Sequence, residues 1–67
     1  MIVIYNNETL SLPNDNMTLS DLAKWKNISL QGTAIAINDK LIKKDNWETT
    51  YLNNLDRVTV ITAAFGG

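Results

Sequence analysis

Sixty-seven residues are enough for one domain and too few for two. With no Cys and no His, the chain has neither a disulfide nor the usual zinc ligands to staple a small core. The same absence removes the thiol nucleophile and the commonest general base. Six Lys/Arg against seven Asp/Glu leave a net charge of −1, without the basic excess of a nucleic-acid-binding domain.

What remains must fold on backbone hydrogen bonds and apolar packing, and 45% hydrophobic residues suffice for that. No apolar run approaches the ~18 residues that span a bilayer. Residues 1–5 are too short for a signal-peptide core and have no basic stretch ahead of them. The expectation is a soluble, cytoplasmic domain with no nucleic-acid or membrane partner.

Met1-Ile2-Val3-Ile4-Tyr5 is a continuous β-branched and aromatic run, the pattern of a central strand. Asn6-Asn7-Glu8 is a turn candidate, and Thr9-Leu10-Ser11-Leu12 alternates, so the two runs read as a hairpin. Pro13 and the Asn14-Asp15-Asn16 cluster end the second strand. Thr18, with Asp21 three residues on, predicts a capped helix over about residues 19–27. Leu19, Leu22 and Ala23 form its apolar face, and Trp25 at the margin of that face is expected to lid one end of the core.

Beyond Gly32, the stretch 33–38 alternates small and large residues, sending Ile35 and Ile37 to one side and Ala34 and Ala36 to the other. Asn38-Asp39 turns the chain into a brief strand at Leu41-Ile42, and Lys40, Lys43 and Lys44 mark a solvated turn and edge. Asp45-Asn46-Trp47 resembles one helical turn, with the Trp47 ring filling a gap. Leu52 and Leu55 are spaced for core contacts. Residues 58–63 are a β-branched strand, and Ala64-Phe65-Gly66-Gly67 is a tail expected to be mobile.

The order β-β-α-β-β-turn-β gives an α+β domain, 1–63, in which one helix covers one face of a mixed sheet of four to five strands. Pairing the first and last strands as central parallel neighbours buries Met1, Val3, Tyr5, Val58 and Val60 under the helix. This is the β-grasp, or ubiquitin-like, arrangement. Alternation then turns Ile2, Ile4, Thr59 and Ile61 outward beside Ala34 and Ala36, forming one shallow apolar patch.

No nucleophile–base pair can be assembled. Ser11, Ser20 and Ser29 have no His to activate them, and the carboxylates fall singly, without calcium-loop spacing. Gly32 is too isolated for a phosphate loop. The chemically suggestive feature is Gly66-Gly67. Neither residue carries a Cβ, so the backbone can thread a narrow channel, and the last carbonyl is open to attack once activated. Such a tail suits an adenylating enzyme's substrate better than an enzyme's own site.

Taken together, the length, the element order and the terminal Gly-Gly resemble the ubiquitin-like sulfur carriers of the ThiS type, which serve thiamin thiazole synthesis. The resemblance spans the chain. It rests on Ala34-Ile35-Ala36-Ile37-Asn38, on the lone Trp47 nine residues later, on Leu55-Asp56-Arg57-Val58 and on Gly66-Gly67. The small subunit of molybdopterin synthase is a similar carrier, but usually runs longer and has prolines before its Gly-Gly. Leu55 departs from the family's usual Gly before the Asp, Ile42-Lys43 from an apolar-Pro pair, and Phe65 from a small or polar residue.

The resemblance implies a carrier and not an enzyme. A ubiquitin-activating-type enzyme would adenylate Gly67, with ATP and Mg used by that enzyme and no cofactor bound by the carrier. A persulfide from a cysteine desulfurase pathway would displace AMP to leave a thiocarboxylate, and thiazole synthase would take the sulfur. A chain without Cys can hold sulfur only at this terminus. Gly66 and Gly67 are thus the candidate adenylation site, and Phe65, Ile61, Ile2, Ile4, Ala34 and Ala36 the candidate partner-binding residues. The rival readings are a sulfur carrier for another cofactor, such as molybdopterin, a ubiquitin-like modifier joined through Gly67, and a plain interaction module.

Overall fold

Asparagine, more than glycine, turns this chain. Among the described residues, five of the six non-glycine residues with positive φ are Asn or Asp: Asn6, Asn7, Asn27, Asn38 and Asp39. Their short polar side chains tolerate the left-handed region that other residues avoid. A computed structural model describes residues 1–62; the expected tail, 64–67, lies outside the described residues.

Asn6 (φ 47) and Asn7 (φ 68) make the two-residue turn between β1, Ile2–Tyr5, and β2, Glu8–Ser11. Positive φ at both positions matches the natural twist of a tight hairpin, so the turn sets the register from Tyr5↔Glu8 to Ile2↔Ser11. The same device recurs at Asn38 (φ 51) and Asp39 (φ 71), joining β3, Thr33–Ile37, to β4, Lys40–Ile42. The last strand, β5, is Arg57–Thr62. It begins one residue earlier than its β-branched run suggests.

All five strands form one sheet in the order β2-β1-β5-β3-β4. β5 lies between β1, to which it is parallel, and β3, to which it is antiparallel. The first and last strands are central neighbours, as the pattern requires of a β-grasp.

The helix α1, Leu19–Trp25, is too short to persist by itself and is held by its ends and its packing. Thr18 Oγ1 accepts from the Asp21 N–H at 3.1 Å, and Asp21 Oδ2 accepts from the Thr18 N–H at 3.0 Å. The remaining first-turn donors, Leu19 N–H and Ser20 N–H, find the carbonyls of Thr50 and Trp47. At the other end Asn27 (φ 56) is the left-handed residue after the cap. The N–H groups of Asn27 and Ile28 return to the carbonyls of Lys24 and Ala23, the bonding of a Schellman stop, with Ile28 packed against the core. Asn27 therefore ends the helix two residues short of the expected boundary.

Val3, Leu19, Leu22, Ile35 and Val58 are fully buried, and Leu12, Met17, Ala23, Trp47 and Leu52 join them in one core. Met1, Tyr5, Ile37 and Val60 pack against it, half-buried. Trp47 is 2% exposed, and its Nε1 donates to the Ile42 carbonyl at 3.0 Å, so the ring is anchored as well as packed.

Two expectations fail. Trp25 is exposed instead of lidding the core, because ~100° per residue carries it well off the Leu19–Leu22–Ala23 face. Leu55 is also exposed: it occupies a tight turn at φ 70, the conformation for which glycine is the usual residue.

Candidate functional site

β5 is the strand that leads into the C-terminal residues, and the fold puts it in the middle of the sheet. Its two sides differ. β3 accompanies it for its whole upper length, through Val58↔Ile37, Val60↔Ile35 and Thr62↔Thr33. β1 accompanies it only at Arg57 and Val58, then turns away at Asn6. There Asn6 donates its N–H to the Val58 carbonyl (2.9 Å) and accepts the Val60 N–H on Oδ1 (2.8 Å). A side chain thus stands where a neighbouring strand has ended.

The start of β5 is set by a buried carboxylate. Asp56 accepts from the Asn53 N–H at 2.8 Å and from Asn38 Nδ2 at 3.0 Å, while Asn38 Oδ1 accepts from the Arg57 N–H at 2.9 Å. These bonds tie the β3–β4 turn to the loop entering β5. The Asn38 and Asp56 positions carry the family resemblance, yet their mutual contact is invisible to a linear reading.

The sheet face away from the helix carries Ile2, Ile4, Ala34, Ala36 and Ile61, as alternation implies. Ile2 and Ile61 are exposed, and Ile4, Ala34 and Ala36 are half-buried. Along this face Ile4 lies beside Arg57, Ala36 beside Thr59 and Ala34 beside Ile61, so the charged Arg57 borders the Ile4 end. The four residue steps from Arg57 to Ile61 correspond to roughly 13 Å of strand. The half nearer the C-terminus is Ala34, Ala36 and Ile61, and it gains Leu41, which lies directly across from Ala36 and is 65% exposed. Leu41 escaped the sequence reading, although the Asn38-Asp39 turn length would have placed it there. Phe65, Gly66 and Gly67 lie outside the described residues.

Charge around the face is modest. Arg57 pairs with Asp39 at 2.8 Å, both well exposed, a contact worth little in water. Lys40, Lys43 and Lys44 are exposed on and beyond the edge strand β4, as expected. Lys26 sits 5.0 Å from the centre of the Tyr5 ring, linking the helix end to β1. Two carboxyls are held below the ordinary Asp range. For Asp21 the main cause is the Thr18 N–H, followed by the Thr18 hydroxyl; for Asp15 it is the hydrogen bond from the terminal amine and then that amine's charge.

Among the described residues, no three His, Cys, Asp or Glu side chains gather to hold a metal ion, and no helix is long and apolar enough to cross a membrane. The depression bounded by Met1, Asp15, Leu52, Asn53 and Asn54 joins a carboxylate to an amine as an ion pair, with no nucleophile beside it.

No curated protein sequence matches the chain. A crystal structure of a thiamine biosynthesis protein (ThiS) from Geobacter metallireducens is similar over 100% of both chains, with a TM-score of 0.86 at 13% identity. An NMR solution structure of a thiamine biosynthesis protein from the same organism is similar over 100% of this chain and 88% of that one, with a TM-score of 0.83 at 13% identity. At such identity these likenesses speak for the fold, a β-grasp sheet on one helix. The sequence profile of the ThiS family matches residues 3–67, nearly the whole chain. The protein therefore belongs to the ThiS family, and is a small sulfur carrier of thiamin biosynthesis and not an enzyme.

Proposed function

We propose that the carboxylate of Gly67 is the group that carries the sulfur. The observation supporting this most directly is that the family match runs through Gly66 to Gly67. A carboxylate resists nucleophiles until its oxygen becomes a leaving group. A ubiquitin-activating-type enzyme, using ATP and Mg, transfers AMP to Gly67 and releases pyrophosphate. The terminal sulfur of a persulfide, supplied by a cysteine desulfurase pathway, attacks the acyl carbon and AMP departs. A thiol then cleaves the resulting acyl disulfide, leaving the thiocarboxylate on the carrier and a disulfide on the donor side. Thiazole synthase accepts the sulfur from that thiocarboxylate. These steps belong to the cytoplasm, where ATP is supplied.

Docking on this reading uses the outer face of the sheet, chiefly the half formed by Ala34, Ala36, Leu41 and Ile61, which lies on the C-terminal part of β5 and its neighbours. Phe65 enters the activating enzyme's channel together with Gly66 and Gly67. Ile2 and Ile4, on the far side of Arg57, contribute less.

The test is intact-mass spectrometry of the full chain after incubation with a ThiS-type activating enzyme, ATP, Mg and a persulfide donor. A mass gain equal to sulfur replacing oxygen, confined to the C-terminal peptide, is the expected result. No gain with any such activator, or a gain elsewhere in the chain, overturns the reading.

A further inference from the structure

β5 keeps a strand partner on one side only after Val58. Its pairs with β1 are Ile4↔Arg57 and Tyr5↔Val58, while those with β3 continue to Thr62. A strand paired on one side is free to splay, and this one leads directly into the C-terminal residues. The unaccompanied stretch is nevertheless bonded on that side. Asn6, at φ 47 in the hairpin turn, gives its N–H to the Val58 carbonyl and takes the Val60 N–H on Oδ1 at 2.8 Å. The two contacts reproduce, with a single residue, the spacing that a continued β1 would have offered.

The identity of residue 6 has two separable parts. The left-handed backbone is a demand of the turn, which glycine meets equally well. The amide oxygen is not needed by the turn and is spent on Val60. Across the sheet, the other end of β1 has an analogous bond: Asn54 Oδ1 accepts the Ile2 N–H at 2.9 Å. That bond lies remote from the C-terminus and serves as an internal control.

We infer that Asn6 is a positioning residue for the activation of Gly67: by holding Val60 it fixes the direction in which β5 leaves the sheet, and so the course on which the tail meets the adenylating enzyme. This rests on the carrier reading above. Losing the bond lowers the fraction of carrier correctly aimed before binding and raises the apparent dissociation constant, while a tail already seated in the enzyme reacts as before.

The experiment measures ATP–pyrophosphate exchange by the activating enzyme against concentration of the full-length carrier, alongside amide hydrogen exchange at Val60. Asn6→Gly is expected to exchange its Val60 amide faster and to raise KM about fivefold, the equivalent of one modest hydrogen bond, with kcat little changed. Asn6→Asp, which keeps an acceptor oxygen on a residue tolerant of positive φ, should restore both. Asn54→Ala should lose a similar bond and keep the parent KM. A parent KM in Asn6→Gly overturns the inference and leaves the carrier reading standing, as does an unchanged Val60 exchange rate. An equal KM rise in Asn54→Ala also overturns it, by assigning the effect to general loosening. If the parent chain itself is not adenylated, the carrier reading fails and takes this inference with it.

Discussion

Asn38 and Asp56 are 18 residues apart in the chain and joined by a 3.0 Å hydrogen bond, from Asn38 Nδ2 to Asp56 Oδ1. The second Asp56 oxygen takes the Asn53 N–H, and the Asn38 oxygen takes the Arg57 N–H, so each side chain both receives and distributes order. Asp56 is 8% exposed, a burial tolerable for a carboxylate only because its oxygens are bonded. Asp56→Ala should lower stability by about 2–3 kcal/mol, since it strands the Asn53 N–H and frees the β3–β4 turn. Urea denaturation measures the loss. A variant within experimental error of the parent would show that the network is dispensable.

Leu55 stands at φ 70 and is 62% exposed. Its Cβ opposes that conformation, and little apolar burial offsets the strain. Leu55→Gly should therefore stabilise the protein, by up to about 1 kcal/mol after the added flexibility of the unfolded chain is counted. A raised thermal midpoint is the expected outcome. A lowered one would mean that the leucine side chain contributes contacts exceeding the strain.

Trp47 closes the core from a short 3-10 turn, Lys44–Asn46, rather than from a strand. Trp47→Ala should cost about 3–5 kcal/mol, comparable with the whole stability of so small a domain, and leave it largely unfolded at room temperature. Trp47→Phe keeps most of the packing but loses the bond to the Ile42 carbonyl, and should cost far less. Circular dichroism melts of the pair separate packing from hydrogen bonding.

The Asp21 carboxyl, lowered by the Thr18 N–H and hydroxyl, links the helix cap to pH. Because the folded state favours the charged form, the stabilisation is complete above the unfolded pKa near ~4 and is lost as pH falls through the lower folded value. Asp21→Ala should therefore be less stable than the parent at neutral pH, with the gap narrowing under acid. A gap independent of pH would assign the effect to helix propensity instead of the cap.

Distance from the C-terminal end of β5 gives unequal expectations for partner binding. Ile61→Lys and Leu41→Lys should weaken binding to the activating enzyme, whereas Ile2→Lys, beyond Arg57, should have a smaller effect. Each residue is at least 40% exposed, so the fold should survive all three. Titration calorimetry with the activating enzyme orders them. An effect of Ile2→Lys equal to that of Ile61→Lys would extend the docking surface over the whole face.

Local pattern by itself determined much of this protein. The Thr18–Asp21 cap, the strand alternation that buries Val3, Ile35 and Val58, and the asparagine turns are short-range consequences of side-chain chemistry, readable within a few residues. The Gly66-Gly67 motif is likewise a property of sequence, read from two adjacent residues that lack a Cβ. Tertiary structure decided what depends on distance between remote segments. Parallel pairing of β5 with β1 put the charged Arg57 beside Ile4, a neighbour that alternation alone does not name. It also left Asn6 to hold Val60, and brought Asn38 to Asp56. Alternation tells which side of a sheet a residue faces, but only the register between strands says what stands next to it.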